Sequence, residues 1–308
     1  MKGVIYKSTG SWYAIKDENG NFLNGRIKGR FKIDDITSTN PLAVGDLVEI
    51  DESATEDGLV MITGICDRRN YINRQSPHNK YQQHIIAANI DQAILFATLR
   101  DPKTSRGFID RFLVTAEAYH IPAILVFNKI DIYRKKEQIR LEDDTRDYEQ
   151  IGYKVLHTSV LEDEGIEQLI DELVDKTTLI AGHSGVGKSS FLNTLFPEAT
   201  LKTQDVSDWS GKGLHTTTFA EMYDLPDGGR IIDTPGLREF ALSDMQEEEL
   251  SHYFPEMRRL IDQCKFNNCL HLQEPGCAVI AGVTSGEIPA ERYASFVTIM
   301  DSLREQKT

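Results

Sequence analysis

Residues 182–189 read Gly-His-Ser-Gly-Val-Gly-Lys-Ser, the Gly-x4-Gly-Lys-Ser spacing of a phosphate-binding loop. Gly182, Gly185 and Gly187 let the backbone curl, so that N–H groups along His183, Ser184 and Val186 can turn inward around phosphate oxygens. Lys188 is suited to reach the outer phosphates and support catalysis, Ser189 to ligate Mg²⁺, and Ser190 continues the site into the helix. The apolar run 178–181 before the loop and the helical pattern from Lys188 to Leu195 after it supply the strand–loop–helix setting that such a loop requires.

A second motif, Asn128-Lys129-Ile130-Asp131, ends the apolar strand 123–127, where a parallel sheet collects ligands. The Asp131 carboxylate can accept hydrogen bonds from the ring N1–H and 2-amino group of guanine; adenine offers neither donor. Asn128 is expected to brace the loop and contact the ring. Thr158 and Ser159, after the strand beginning at Lys154, are expected to approach the base from the other side through backbone N–H groups. Asp233-Thr234-Pro235-Gly236 closes the strand 230–232, placing a carboxylate near the water shell of Mg²⁺ and the Gly236 N–H near a γ-phosphate. Among the threonines of Lys212-Gly213-Leu214-His215-Thr216-Thr217-Thr218, Thr217 is the one expected to join Ser189 on Mg²⁺ and to act in catalysis. In conventional GTPases the guanine motif follows the phosphate loop, whereas here it precedes it. The cyclic order is kept, so every strand neighbour can be unchanged while the Asp-x-x-Gly segment leads straight into the C-terminal part.

A third constellation, Cys264-x4-Cys269-x-His271-x5-Cys277, offers three thiolates and one imidazole. This is a full tetrahedral zinc set with no position left for water, so one structural Zn²⁺ is expected. Cys66 stands apart and is read as a small buried apolar residue.

These motifs need elements to position them. Between residues 87 and 244 strands and helices alternate, which implies a doubly wound parallel α/β sheet, with a hairpin around Pro226–Gly229. Residues 1–70 carry short β runs at 12–15, 47–50 and 59–62 and read as a five-stranded oligonucleotide-binding (OB-fold) β-barrel. Residues 71–86 read as a polar linker, and 245–308 as a helical zinc-binding domain ending in an amphipathic helix from Pro289 to Arg304. The fold class is thus multidomain: barrel, circularly permuted GTPase, helical metal domain.

The composition, 40% apolar and 27% charged over 308 residues, is that of an ordinary globular protein, and no stretch is long and apolar enough to cross a bilayer, so a cytoplasmic setting without membrane contact is expected. The net charge of −14 opposes binding to nucleic acid, but residues 1–85 balance 11 basic against 11 acidic residues and the excess lies beyond them. Within that neutral part Arg26, Lys28, Arg30 and Lys32 alternate, which as a strand would put four cations on one face able to track an RNA backbone, helped by Arg68, Arg69 and Arg74.

Barrel, permuted motif order, Gly-x-His-Thr-Thr-Thr segment and terminal Cys/His cluster together resemble the RsgA (YjeQ-type) family of circularly permuted GTPases of bacterial small-subunit biogenesis, over nearly the whole chain. The resemblance implies GTP hydrolysis to GDP and phosphate in late maturation of the small (30S) ribosomal subunit, stimulated by the subunit, with rRNA contact through the barrel and a monomeric chain. Related chains carry a basic residue where Leu214 stands. Leu237 follows the Asp-x-x-Gly motif and cannot orient an attacking water. His215 matches a histidine that the family associates with hydrolysis and is the expected catalytic group. Two other classes remain distinct: a non-hydrolysing RNA-binding scaffold, which single-turnover hydrolysis separates, and a metallochaperone-type GTPase, which chelator competition separates.

Overall fold

The structure, a computed structural model, describes residues 1–9, 12–27, 41–51, 59–75, 83–196, 220–226, 228–234 and 245–306. Strands β1 (Lys2–Ser8), β2 (Tyr13–Asp17), β3 (Phe22–Ile27), β4 (Leu47–Asp51) and β5 (Val60–Ile65) run in the order β1-β2-β3-β5-β4, and β4 pairs back onto β1. The result is a closed five-stranded barrel in which only β3 and β5 are parallel. Alternating residues point inward, and Ile5, Tyr13, Ile15, Val48, Ile50, Val60 and Ile62 form its core. β1 and β3 have no counterpart among the β runs read from sequence, since lysine, asparagine and glycine interrupt their apolar residues. The expected cationic strand is described only as far as Ile27.

The segment expected to be a linker is itself folded. β6 (Tyr71–Gln75) and β7 (Gln83–Ala88) form an antiparallel pair, and Ile72 and Ala87 are buried in the core of the following unit. Few apolar residues interrupt its polar ones, which is why composition alone suggests a connector.

The α/β unit comprises β8 (Gln92–Ala97), α1 (Arg106–Ala118), β9 (Ala123–Asn128), α2 (Lys135–Ile151), β10 (Lys154–Thr158), α3 (Ile166–Asp171), β11 (Thr177–Ala181), α4 (Lys188–Leu195), β12 (Glu221–Asp224) and β13 (Arg230–Asp233). Strands β10-β9-β8-β11-β13 are parallel, and β12 joins β13 antiparallel. The strands are buried on both faces. Ala93, Leu95, Leu125, Phe127, Leu179 and Ile232 face the helices α1 and α2, whereas Ile94, Phe96, Ile124, Val126, Ile180 and Ile231 face α3 and α4. α2, absent from the elements read in sequence, carries ten charged residues among its seventeen. It is held by Tyr148 and Ile151 in the core and by Arg106, whose guanidinium reaches Asp144 at 2.6 Å and Asp147 at 2.7 Å. β12 also pairs with β1 through Lys7 and Glu221, so barrel and α/β unit share one continuous sheet.

The C-terminal part packs short helical turns at Glu247–Tyr253 and Pro255–Arg258 (α5) with α6 (Ala278–Ser285) and α7 (Ala290–Gln306) around Leu250, Phe254, Met257, Phe296 and Met300. Val114 of α1 completes this core. Among the described residues no helix is long and apolar enough to cross a membrane. Across the seam the buried Arg292 donates to Glu256 and to Asp110 of α1, each at 2.7 Å, and lies over the Phe254 ring. Removing one member of such a buried set leaves uncompensated charge, so Arg292→Met should cost about 3–5 kcal/mol. Denaturant unfolding followed by a probe in the C-terminal part measures that loss, and an unchanged midpoint would contradict the role given to this ion set.

Candidate functional site

Because β8, β9, β10, β11 and β13 are parallel, their C-terminal ends and following loops lie along one edge of the sheet. There the phosphate loop runs from β11 into α4. Gly182 has φ +141°, and a Cβ there would lie 2.4 Å from the Phe96 carbonyl oxygen; Gly187, at φ +103°, caps α4. Val186 is buried against the sheet, while Ser184, Gly185, Ser189 and Ser190 are exposed on the open side of the loop. The Lys188 ammonium donates to the carbonyls of Gly182 (2.5 Å) and His183 (2.8 Å), so it already spans the loop's mouth. Burial pushes Lys188 down and Asp233 up from their ordinary values, and their mutual attraction offsets part of each shift. Asp233, at the end of β13, is thus brought to the phosphate loop. The His183 ring stacks on Phe108 of α1, with centroids 3.7 Å apart.

The guanine motif is tied to this loop through Asn128, which is 1% exposed. Its Nδ2 donates to the Val186 carbonyl at 2.8 Å, while its Oδ1 accepts from Thr158 Oγ1 at 3.0 Å and from the Val160 N–H at 3.3 Å. One carboxamide therefore joins the loops after β9, β10 and β11. A Cβ on Gly187 would sit 2.1 Å from that Nδ2, so glycine is also required for this contact. Lys129 takes the left-handed conformation at φ +62°, and its ammonium donates to the Asp101 carbonyl at 2.7 Å. Asp131 is exposed and accepts from Ser159 Oγ at 2.5 Å.

Ser159 differs here from the sequence reading. Its own N–H pairs with the Glu164 carbonyl, and the Val160 N–H goes to Asn128, so these two N–H groups are engaged within the protein. Ser159 contributes a hydroxyl that orients the Asp131 carboxylate, and Thr158 a hydroxyl that orients Asn128.

In the C-terminal part the ligand atoms of Cys264, Cys269, His271 and Cys277 lie within 4.8 Å of one another. Cys264 Sγ is 3.6 Å from His271 Nδ1 and 4.0 Å from Cys277 Sγ, and His271 Nδ1 is 3.4 Å from Cys277 Sγ. A tetrahedron with metal–sulfur bonds of about 2.3 Å has edges of about 3.8 Å, so the set fits one metal ion. Backbone N–H groups of Ala278 and Ile280 at the start of α6 donate to Cys264 and Cys277 Sγ, which favours thiolates. Sequence reading missed Glu274. Burial alone would raise its carboxyl, but N–H groups of Leu270, Leu272 and Gln273 outweigh this and hold it at about 2 while it shapes the ligand loop. The signal available was a lone acid between metal ligands.

His215, Thr217, Leu214, Gly236, Leu237, Lys28, Arg30 and Lys32 lie outside the described residues. Arg26 is exposed at the end of β3. Arg68 is not free for RNA: half-buried, it pairs with the buried Asp46, with Nε at 2.6 Å from the carboxylate, and also donates to the Pro41 carbonyl. Arg69 pairs with Asp91 at 2.7 Å.

Residues 65–243 match the RsgA GTPase family and residues 2–60 the RsgA N-terminal domain. This chain belongs to the RsgA GTPase family. It is a GTPase, a hydrolase. Proteins named "Small ribosomal subunit biogenesis GTPase RsgA" from Flavobacterium psychrophilum and Bacteroides fragilis are 50% and 46% identical, covering 98% and 100% of this chain and 93% and 98% of theirs. Among solved structures, YjeQ from Thermotoga maritima superposes with a TM-score of 0.78 at 32% identity, covering 98% of both chains. YloQ, described as a circularly permuted GTPase, gives 0.76 at 34% identity, covering 100% of this chain and 96% of that one. The RsgA fold thus accounts for the barrel, the permuted sheet and the Cys/His cluster together.

Asn128→Ala would leave the Val186 carbonyl, the Thr158 hydroxyl and the Val160 N–H without their partner. With each lost buried bond worth about 1 kcal/mol, GTP and GDP affinity should both fall about 100-fold. Calorimetric titration checks this, and affinities within a factor of about two of the parent would refute the keystone role.

Proposed function

We propose that this chain hydrolyses GTP as a checkpoint in late maturation of the small (30S) ribosomal subunit, and that contact with the subunit and its rRNA accelerates turnover. The observation that carries the GTP reading is the carboxamide of Asn128 bonded at once to the phosphate loop and to the loop after β10, with the Asp131 carboxylate held by Ser159 beside it. The client follows from the name borne by relatives 46–50% identical over nearly the full chain.

In this reading Asp131 reads the guanine edge, and Asn128, Lys129, Thr158 and Ser159 hold the base-binding loops. The loop from Gly182 to Ser190 cradles the phosphates. Lys188 neutralises charge developing on the outer phosphates. Ser189 and Thr217 hold Mg²⁺, with Asp233 on its water shell and Gly236 near the γ-phosphate. His215 orients or activates the attacking water, since Leu237 cannot. The barrel makes the first rRNA contact through Arg26, Lys28, Arg30 and Lys32. The four-ligand cluster takes one Zn²⁺, which supplies folding energy and no chemistry, because Cys264, Cys269, His271 and Cys277 leave no open position. The chain acts as a monomer in the cytoplasm, where ribosomal subunits mature.

Basal hydrolysis should be slow. If the competent switch arrangement is a minor state of about 1–10%, a rigid partner that orders it raises turnover about 10- to 100-fold. GTP turnover measured with and without purified small subunits tests this. Stimulation should decline as salt rises and should be largely lost when residues 1–70 are removed, with the basal rate retained. Active subunit preparations that leave turnover unchanged at low salt would remove the ribosomal assignment and keep the GTPase.

For the metal, protein purified without added metal should carry about one zinc per chain. Cys269→Ser should loosen residues after 245 while GTP binding persists. Elemental analysis finding no zinc in a chain with a folded C-terminal part would refute the zinc reading.

A further inference from the structure

Tyr133 closes the short turn Ile130–Ile132 that follows the guanine motif, and its N–H bonds to the Ile130 carbonyl. The side chain is 6% exposed and packs in the core on the α1/α2 face of the sheet. Its phenolic O–H donates to the Asn128 carbonyl at 2.8 Å, and the same oxygen accepts the Leu99 N–H at 2.8 Å. Burial pushes the phenol above its ordinary value, so it stays a protonated donor at neutral pH.

Leu99 belongs to the segment after β8 that lies alongside the phosphate loop. Pro102 Cδ is 3.5 Å from where a Cβ on Gly185 would be, and Asp101 supplies the carbonyl that holds the Lys129 ammonium. One phenolic oxygen therefore fastens the loop after β8 to the loop after β9. The peptide it holds is the one entering Lys129, whose left-handed backbone costs about 1–2 kcal/mol relative to the ordinary one. Were the Asn128 carbonyl free to rotate, that conformation could relax and Asp131, two residues on, would move.

We propose that Tyr133 is a positioning residue for guanine discrimination: by fixing the Asn128–Lys129 peptide against Leu99, its hydroxyl sets the place of the Asp131 carboxylate. The proposal rests on the reading of Asp131 as the group that meets the N1–H and 2-amino group of guanine. A tyrosine serving only as core filler would need its ring and not its oxygen, and Tyr133→Phe separates the two.

Inosine diphosphate keeps the N1–H of the guanine ring and lacks the 2-amino group, so the ratio of GDP to inosine diphosphate affinity reports how well the carboxylate is placed. In Tyr133→Phe, GDP affinity should fall about tenfold and the ratio should narrow by about threefold or more, with ADP binding little changed. A filler role would shift the melting temperature and leave the ratio as it was, and that result overturns the proposal. If the parent protein itself shows no preference for GDP over inosine diphosphate, the Asp131 reading fails and Tyr133 loses its role with it. Amide hydrogen exchange on the unmutated protein gives a second measurement should Tyr133→Phe not fold. GDP should slow exchange at Leu99 more than ADP does, and equal exchange with either nucleotide overturns the proposal.

Discussion

The nucleotide site depends on a single buried carboxamide. Asn128 ends a central strand of a parallel sheet, and its two polar atoms reach the loops that follow the strand on its outer side and the strand two places inward. Because an amide both donates and accepts, it can satisfy a carbonyl of the phosphate loop and a hydroxyl of the base loop at once. An aspartate or leucine of similar size would satisfy one or neither. The geometry follows from the level above it. Apolar residues on both strand faces enforce a sheet covered by helices on two sides, and parallel connections put every C-terminal strand end on one edge. Cyclic permutation leaves that edge intact, so a guanine motif that comes first in the chain still meets a phosphate loop that comes later.

Both flanking parts are fastened to elements that touch this edge. β12 lies between the segment holding Thr217 and the strand ending at Asp233, and it is also where the barrel joins. Asp224 accepts from Tyr6 at 2.5 Å and from Lys16 at 2.6 Å, and Glu221 pairs with Lys7 at 3.1 Å. Burial alone would raise the Asp224 carboxyl; the Lys16 ammonium and Tyr6 hydroxyl outweigh it and hold the group below the usual range. These half-exposed pairs contribute little stability individually. Their consequence is geometric: a displaced β12 either carries the barrel with it or loses three polar contacts. On the other side, α1 carries Phe108 against His183 of the phosphate loop and, about half a turn further along, Asp110 against Arg292.

What sequence conveyed and what it withheld divide along physical lines. The phosphate loop, the guanine motif and the Cys/His set were legible because each needs particular atoms at fixed chain spacing, and all six strands of the α/β unit were legible as short β-type runs with clear ends. β1 and β3 were not, because a barrel strand needs only alternate apolar residues, and Lys2, Lys7 and Asn24 occupy the outward positions. α2 was illegible for a related reason: its buried face holds Asp144 as well as Tyr148 and Ile151, and the carboxylate is acceptable there only because Arg106 arrives from α1. Arg68 looked like an RNA contact by charge and is a structural cation, since its partner Asp46 is distant in sequence and fully buried. Long-range pairing of this kind leaves no periodic trace. The roles of Ser159 and Thr158 were half legible, their place from the strand end and their use of hydroxyl in place of N–H only from the folded loop.

The C-terminal part shows what a metal ion at the Cys/His cluster would contribute to such a chain. It has about sixty residues, below the size at which a single apolar core gives comfortable stability. Part of its interior is given to Arg292, Glu256 and the imidazole of His271, and Arg292 Nη2, Glu256 Oε2 and Asp110 Oδ2 have no hydrogen-bond partner among the described residues. Val114 of α1 has to complete its apolar cluster. Against this deficit stand the ligand cluster, which ties the loop 264–277 to the start of α6, and the Tyr293 hydroxyl, which donates to the His271 carbonyl at 2.7 Å and so fastens α7 to the same loop. A metal ion held there would join segments that otherwise meet through the apolar cluster and the Tyr293 bond. A continuous line of contacts runs from the ligand loop, through α7 and Arg292, to α1 and the phosphate loop.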